Sequence, residues 1–267
     1  MTKEWAISDL PEKLEKIGIY SGSSLFIHSH LGMLGIPMGG MTGRTFLSQI
    51  KEYVGESGNI FLPAFTYSFP QGKLFNPTSL DGLSNMGALT LAAMEMGFNR
   101  SMDPIFSILG TGVAANDILD FDINSSFGEG SSFYKLLESN VKLLTVGIGA
   151  GSTILHEMER QIGVNYRFDK TFKGKYVLSN GDLSSEIDWN SYVRLMSDES
   201  LEADFTFLTK VSRNEPFFRE VNLGRGTLAS YDSQEMFGFL KDLLEEHPYA
   251  LTKRSLDALS MNSKTVK

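Results

Sequence analysis

Buried strands, glycine-rich loops and amphipathic helices alternate along this chain of 267 residues. The stretch from Ser24 to Val54 shows one such unit, in which the apolar run SLFIHSH leads through a glycine-dense loop into a helical pattern. This alternation predicts an α/β fold, because each helix can then pack onto a sheet formed by the strands. The expected strands cover residues 24–30, 59–63, 105–109 and 141–148, and the expected helices cover residues 45–54, 86–96, 132–138 and 153–162.

The second half of the chain departs from this pattern. Around residues 173–195 short extended pieces flank Asn180 and Gly181, a dipeptide that favours a type I′ hairpin turn. We therefore expect a β-hairpin insertion within a single domain that spans residues 1–267. Beyond it, the sequence predicts a helix over 198–209, a pair of strands across 217–229 and an amphipathic helix after Asp232.

Composition excludes several functional classes. The chain has no cysteine, which rules out disulfides, thiolate metal ligands and a cysteine that carries an acyl group. Its formal net charge of −8 disfavours nucleic-acid binding, and it fits either a cationic substrate or an ordinary acidic surface. No signal-peptide core and no apolar run of about 18 residues is present, so the sequence predicts a cytoplasmic protein without a membrane partner.

Four histidines are the candidates for acid–base or metal chemistry. His247 ends an amphipathic helix, where a partly exposed imidazole favours the helix dipole. His28 and His30 form an H-x-H pair that suits a metal-dependent hydrolase, because this spacing in a strand directs both rings to one face. His156 lies one turn into a helix, with Glu159 on the same face. That spacing fits a general base oriented by a carboxylate, or a pair that only stabilises the helix.

The glycine-rich segments match no nucleotide-binding or hydrolase signature. Gly147, Gly149 and Gly151 fail the G-x-G-x-x-G pattern because Ser152 occupies the third glycine position. No G-x-S-x-G sequence occurs, so a hydrolase nucleophile elbow is unsupported. The run GEGS at residues 128–131 precedes a helix, where it can present amides to an anion or simply begin the helix.

Five motifs, taken in order, resemble the aminoglycoside 3-N-acetyltransferase family. They are FIHSHLGMLGIPMGG from Phe26, NIFLPAFTYSF from Asn59, NRSMDPIFSILGTG from Asn99, FGEGSSFYKL from Phe127 and LLTVGIGAGSTILHEMER from Leu143. The resemblance implies a three-layer α/β/α sandwich, acetyl-CoA as the acyl donor and no metal. It also implies direct transfer to an amino group, with which the absence of cysteine agrees.

The resemblance assigns roles to individual residues as well. His156 matches the family's catalytic histidine, Glu159 its acidic partner and Glu129 the glutamate of the GEGS motif. The residues expected to bind coenzyme A include the glycine-rich loop that follows the first strand, a serine near the thioester and an arginine for the diphosphate. They are His28, Ser29, Gly35, Gly39, Gly40, Arg100 and Ser107.

The acceptor side is where the sequence departs from the family. Members that modify antibiotics usually carry a histidine directly before the proline of this motif. This chain has Asp103 there, directly before Pro104. Asp103, Asp122 and Asp169 are the carboxylates expected to face a cationic acceptor, either an aminoglycoside or an amino sugar of a surface-polysaccharide or natural-product pathway. The resemblance favours a homodimer. The alternatives are a metal-dependent hydrolase that uses His28 and His30, and a catalytically silent sugar-binding homologue.

Overall fold

The computed structural model describes residues 4–80, 82–178 and 180–255, and these ranges contain nine β-strands and eight α-helices. The strands are β1 (Ser24–Ser29), β2 (Asn59–Pro63), β3 (Asn99–Arg100), β4 (Ile108–Thr111), β5 (Lys142–Val146), β6 (Arg167–Gly174), β7 (Ile187–Arg194), β8 (Arg219–Leu223) and β9 (Gly226–Asp232). The helices are α1 (Leu10–Lys16), α2 (Gly43–Val54), α3 (Ala88–Glu95), α4 (Ala115–Leu119), α5 (Ser132–Glu138), α6 (Ile154–Ile162), α7 (Thr206–Ser212) and α8 (Ser233–Glu246). Within these ranges, no helix combines the length and apolar character that crossing a membrane requires.

Seven strands form a mixed sheet in the order β3-β4-β2-β1-β5-β9-β8. The central strand β1 pairs in parallel with β2 on one side and with β5 on the other, whereas the outer strands pair antiparallel. The carboxyl ends of β1, β2 and β5 therefore meet at one edge of the sheet. Such an edge, at the strand where the connections diverge, is the usual ligand site of an open α/β sheet.

Helices cover both faces of this sheet. Phe26 of β1 packs into a core with α4, α5, α6 and α8, whereas its neighbours Leu25 and Ile27 pack into a second core with α1, α2 and α3. This division follows from the alternation of side chains along a strand that is buried on both faces. The predicted three-layer α/β/α sandwich is thus confirmed.

Strands β6 and β7 form a separate antiparallel hairpin, paired from Arg167 with Arg194 to Gly174 with Ile187. The hairpin begins earlier than the expected range of 173–195, because the largely exposed strand RFDKTFKG shows no clear alternation of apolar and polar residues. Asn180 and Gly181 lie in a turn as expected. That turn closes an isolated bridge between Val177 and Leu183 rather than the hairpin itself. The organisation of the chain as a single domain stays a prediction.

The helix expected over 198–209 is wrong. A short 3₁₀ helix occupies Glu199–Leu201, and α7 begins only at Thr206. The Asp198 side chain accepts a hydrogen bond from the Ser200 amide, and the Asp204 side chain accepts one from the Thr206 amide. Such local hydrogen bonds offer the backbone an alternative to continuous α-helical bonding, so the segment forms a 3₁₀ helix and a separate α-helix.

Candidate active site

The loop between β5 and α6 brings the start of α6 to the carboxyl end of the central strands. Gly147 and Gly149 in this loop have φ angles of +74° and +63°. A Cβ atom on Gly147 would lie 2.6 Å from the Met33 Cβ, and one on Gly149 would meet the Thr209 hydroxyl. Only glycine fits both the backbone conformation and these close contacts. The tight loop therefore fixes where the side chains of α6 stand relative to β1.

His156 and Glu159 form a closely paired dyad on α6. The imidazole Nδ1 lies 2.6 Å from Oε2 of Glu159, which is fully buried, while the His156 side chain is 14% exposed. Because a carboxylate only accepts, we assign the proton to Nδ1, which leaves the lone pair on Nε2. The spacing expected from the sequence is thus realised as a histidine whose second nitrogen can take up a proton.

Two residues at the start of the hairpin complete the surroundings of Glu159. The Tyr166 hydroxyl donates to Oε1 at 2.5 Å, and Arg167 Nε lies 2.7 Å from Oε2. The Arg167 N–H does not align with that oxygen well enough for a hydrogen bond, so the contact is an ion pair. Burial by itself raises the pKa of Glu159, but His156, Arg167 and Tyr166 together hold it below its usual value. Glu159 is therefore a carboxylate.

The sequence pattern gave no sign of Tyr166 or Arg167. Both residues follow the left-handed Gly163 that ends α6, and they approach Glu159 only because the chain turns back there into β6. Their contact with α6 depends on the path of the hairpin. Sequence periodicity relates residues within one helix or strand, so it does not reveal contacts between α6 and the hairpin.

The histidines of the site are kept neutral by their surroundings. Burial lowers the pKa of His156, and the charge of Arg167 lowers it further, although Glu159 acts in the opposite direction. Burial, with a smaller effect from His156, lowers the pKa of His28 to about 3. His28 Nε2 is buried and has no hydrogen-bond partner among the described residues. Neutral imidazoles are what proton acceptance near neutral pH requires.

His156 neighbours two cavities. The strand-end cavity has a volume of about 220 Å³ and lies where β1 and β2 end, and the hairpin cavity has a volume of about 310 Å³ and lies beside β6 and β7. Thr153, which lines the strand-end cavity, precedes His156 by one helical turn. Phe127, which lines the hairpin cavity, has its ring centre 6.3 Å from that of the imidazole. His156 itself lines neither cavity, but a residue that lines each of them lies next to it.

The coenzyme A residues predicted at the end of β1 are found beside the strand-end cavity. His28 and Ser29 line it. In the loop beyond them, Gly35, Gly39 and Gly40 have φ angles of +74°, +80° and +78°, and no atom lies within 4 Å of a Cβ built on Gly39 or Gly40. These two glycines are thus needed for the backbone conformation and leave the loop open on its outer side.

Glu129 does not orient His156, which corrects its assignment as part of the catalytic group. Its side chain is exposed and lines the hairpin cavity. A neighbouring glutamate that the sequence analysis missed, Glu157, is fully buried and accepts from the Gly128 amide at 2.7 Å and from Gln161 at 2.9 Å. Glu157 therefore anchors the GEGS loop to α6. The sequence did contain a signal for Glu157. The run HEMER carries two glutamates two residues apart, and this spacing in a helix directs their carboxylates to different sides, so they serve different partners.

Arg100 and Ser107 hold a loop in place, and their hydrogen bonds argue against the expectation that they bind coenzyme A. All five N–H groups of the Arg100 guanidinium are directed at protein oxygens. The acceptors are Ser107 Oγ at 2.9 Å, Ala64 O at 2.7 Å, Thr66 Oγ1 at 2.6 Å, Ser79 O at 3.3 Å and Pro77 O at 3.5 Å. Ser107 is fully buried and donates to the Ala64 carbonyl at 2.6 Å. Neither side chain is available to a diphosphate or a thioester.

We expect Arg100→Met to lower the free energy of unfolding by about 3 kcal/mol, because several buried acceptors lose a charged donor. Urea denaturation measures this change. The control is Arg44→Met, which breaks an exposed ion pair of 3.4 Å with Glu95 and is expected to cost less than about 1 kcal/mol. Unchanged stability together with weaker coenzyme A binding would instead restore the diphosphate role.

Asp103 is a structural residue, which also corrects its assignment to the acceptor site. It is 3% exposed, and its Oδ1 accepts from the amides of Ile105 and Phe106 at 2.8 Å and from the Ser126 hydroxyl at 3.1 Å. Burial raises the pKa of Asp103 to about 6, against the opposing effect of these hydrogen bonds. The carboxylate closes the turn that leads into β4, and it does not face either cavity.

The other two predicted acceptor carboxylates are exposed. Asp169 lines the hairpin cavity and forms an ion pair with Arg160. Asp122 directly precedes Ile123, which lines the same cavity. The hairpin cavity is thus bordered by the carboxylates of Glu129 and Asp169 and by the Arg160 guanidinium with which Asp169 pairs.

The two histidines of the H-x-H pair have different surroundings. His28 lies at the end of β1, close to His156 and the ring of Phe26, whereas His30 follows the strand and is exposed. In the part of the chain that the structure describes, no group of three or more histidine, aspartate or glutamate side chains is placed to hold a metal ion.

Comparisons with known proteins agree with this fold. The family model described as aminoglycoside 3-N-acetyltransferase matches residues 26–245. An aminoglycoside N(3)-acetyltransferase III from Salmonella is 23% identical over 265 residues, covering 89% of this chain and 91% of that protein. The crystal structure of the aminoglycoside acetyltransferase AAC(3)-Xa superimposes with a TM-score of 0.78 at 18% identity, over 91% of this chain and 94% of that one. The structure of AAC-IIIb in a binary complex with CoASH does so with a TM-score of 0.75 at 18% identity, over 92% and 98%.

Proposed function

Because the chain belongs to the aminoglycoside 3-N-acetyltransferase family, we propose that it transfers an acetyl group from acetyl-CoA to an amino group of an amino sugar, with His156 as the general base. One observation carries this proposal. The imidazole of His156 is oriented by a buried carboxylate through Nδ1, and it lies next to Thr153 and Phe127, which line two separate cavities. A base shared by two binding sites is what a direct transfer between two substrates requires.

The chemical task is to remove a proton from an amine. An aliphatic amine with a pKa of about 10 is mostly protonated at neutral pH and cannot attack a thioester until it loses a proton. In the proposed step the ammonium first releases one proton to water. The neutral amine nitrogen then attacks the thioester carbonyl carbon, and the proton that this nitrogen must lose once the new carbon–nitrogen bond has formed passes to His156 Nε2. The carbon–sulfur bond then breaks, the imidazolium returns the proton to sulfur, and the products are an amide and coenzyme A. Glu159 stabilises the imidazolium between these steps.

The two cavities suit different substrates. We assign the strand-end cavity to the thioester of acetyl-CoA, because it lies at the carboxyl ends of the parallel strands and next to the glycine-rich loop. The amides of that loop are the groups available to phosphate oxygens. Ile36 and Met38 in the same loop are 88% and 59% exposed, which suits contact with the apolar part of the pantetheine arm.

We assign the hairpin cavity to the acceptor. Two carboxylates and one guanidinium border it, from Glu129, Asp169 and Arg160, so a net negative charge remains to attract a polycationic sugar, and the net charge of −8 favours the same class of ligand. An aminoglycoside is our first acceptor and an amino sugar of a surface-polysaccharide or natural-product pathway the second. The departure at Asp103 does not favour the second class, because this residue is buried in a turn away from both cavities.

Acetyl transfer can be measured through the thiol of coenzyme A that is released. The chain itself contains no cysteine, so a thiol-reactive dye reports the product without background from the enzyme. With acetyl-CoA in excess, we expect release that depends on an added aminoglycoside and exceeds release with nucleotide-linked amino sugars. Acetyl-CoA at about 100 times its dissociation constant is expected to stabilise the protein by about 2.7 kcal/mol, which a thermal-shift assay detects.

Two outcomes would contradict the proposal. Acceptor binding without thiol release for any acyl-CoA would identify a silent sugar-binding protein. Hydrolysis that depends on an added divalent metal, without a thermal shift by acetyl-CoA, would favour the hydrolase. We further propose a cytoplasmic homodimer, since acetyl-CoA is an intracellular donor, and cell fractionation and sedimentation velocity test the two parts.

A further inference from the structure

Arg167 lies against both members of the dyad, and we infer that it is a positioning residue that keeps His156 neutral until a proton from the substrate amine reaches Nε2. This inference rests on the proposed function for its role in catalysis. The contact itself is a property of the folded chain and is testable without any substrate. Arg167 was not among the residues that the sequence suggested.

The guanidinium touches the two ends of the dyad at once. Arg167 Nε lies 2.7 Å from Glu159 Oε2, the same oxygen that lies 2.6 Å from His156 Nδ1. Arg167 Nη2 lies 3.4 Å from His156 Nε2 on the other side of the ring. The Arg167 side chain is 6% exposed and that of Glu159 is fully buried, so water screens these charges little.

The contact with Nε2 is compatible with only one protonation state of the ring. A guanidinium donates hydrogen bonds and never accepts them, so Nη2 can approach Nε2 favourably only while Nε2 carries a lone pair. Once the ring takes up a proton, two N–H groups face each other and two positive charges lie close together. The arrangement therefore favours the neutral ring before the reaction and the return of the proton after it.

Arg167 also reduces the electrostatic stabilisation that Glu159 gives to the imidazolium. A buried carboxylate that served His156 alone would stabilise the protonated ring strongly and trap it. Here the negative charge of Glu159 is shared with a guanidinium, so it orients the ring through Nδ1 while holding the positive form less tightly. The poor alignment of the Arg167 N–H with Oε2 fits this division, because His156 keeps the directional hydrogen bond.

The other titratable groups around the ring do not supply this effect. His28 on β1 has a pKa of about 3 because it is buried, so it is uncharged at neutral pH. The tyrosines that interact with the dyad have pKa values raised chiefly by burial and are uncharged as well. Arg167 and Glu159 are thus the charged groups that act on His156. The neutral neighbours are His28, Tyr166 and Tyr192.

The direct test is a pH titration of His156 followed by NMR of the histidine rings, with its signal assigned by loss in His156→Gln. Arg167→Met and Arg167→Gln both remove the positive charge, and they replace the arginine by neutral side chains of different shape. The test needs only one of the two variants to fold. We expect both to raise the titration midpoint of His156 by about 1 pH unit or more. Arg167→Lys keeps a positive charge and is expected to keep the midpoint within about half a pH unit of wild type, since the role does not need a directional hydrogen bond.

The pH dependence of kcat/KM for acetyl transfer gives a second reading. A higher pKa for the base moves the acidic limb of the profile to higher pH, so the neutral variants should lose about 10-fold at pH 6 and recover at high pH. Arg213→Met is the matched control, because Arg213 pairs with Glu220 at 2.9 Å near the end of α7, and it should leave the His156 midpoint unchanged.

Failure of this inference is distinguishable from failure of the proposed function. An unchanged His156 midpoint in the neutral variants would overturn the inference even if the enzyme acetylates aminoglycosides. A midpoint raised in Arg167→Lys as much as in Arg167→Met would also overturn it, because charge would not be the cause. Absence of acetyl transfer in the wild-type protein would overturn the proposed function, while the NMR titration would still decide whether Arg167 controls the ring.

Discussion

His156→Ala is expected to lower kcat for acetyl transfer by about 10²- to 10⁴-fold, because the variant loses the oriented imidazole lone pair that takes the proton of the amine. The dyad geometry supports this expectation, since Nδ1 is engaged by Glu159 and Nε2, which makes only a long contact of 3.4 Å with Arg167 Nη2, carries the lone pair. Thiol release at saturating donor and acceptor measures the effect. The loss should fall on kcat, while the thermal shift caused by acetyl-CoA should persist, since the ring is not needed to hold the donor.

The control for this prediction is His247→Ala. His247 is exposed, ends α8 and packs against the ring of Phe207 at 5.3 Å, so its removal should leave kcat near the wild-type value. Turnover by His156→Ala within a factor of about three of wild type would refute the base assignment.

Glu159→Gln is expected to have the second large effect, in this case on stability and activity together. Glutamine keeps the shape of the side chain but leaves the buried Arg167 without its carboxylate, and breaking a buried ion pair in this way costs about 3 kcal/mol or more. The imidazolium also loses its stabilising partner, so kcat is expected to fall by about 10²-fold or more, as for an orienting carboxylate in other histidine-based sites. Urea denaturation and thiol release measure the two effects.

Glu220→Gln is the control for Glu159→Gln. Glu220 pairs with Arg213, whose side chain is 53% exposed, so loss of this pair is expected to cost no more than about 1 kcal/mol and to leave kcat unchanged. Equal stability losses in the two variants would contradict the account of Glu159 as the centre of a buried charge cluster. A stable Glu159→Gln enzyme with full activity would show that His156 needs no carboxylate.

Two glutamates that are close in sequence have separate tasks in this protein. Glu159 serves the base, whereas Glu157 holds the Gly128 amide and thereby ties the GEGS loop to α6. The loop carries Phe127 and Glu129, which line the hairpin cavity, so α6 connects the base to the wall of the proposed acceptor site. This connection explains how one helix can fix both the proton acceptor and the cavity beside it.

Much of the fold was predictable because it depends on local patterns. Strand β2, helix α5 and the step from β5 into α6 lie where apolar periodicity and glycine spacing indicate them. The i to i+3 spacing within one helix likewise made the pairing of His156 with Glu159 predictable. In each case the determining contacts join residues that are near in sequence, and their geometry is fixed once the element has formed.

Long-range packing decided the residues that the sequence misassigned or missed. Arg100 looked free for a diphosphate until the fold brought the carbonyls of Ala64, Pro77 and Ser79 around it. Asp103 looked like an acceptor contact until the turn before β4 enclosed it.

The amino-acid sequence by itself determined the layered fold and the family, and it selected His156 with Glu159. The tertiary structure decided that Arg167 and Tyr166 share that carboxylate, because the hairpin returns to α6 after leaving it. A local pattern fixes which side chains one helix presents together. Whether a charge is free, paired or buried depends on the elements that pack against it, and these are brought together only by folding.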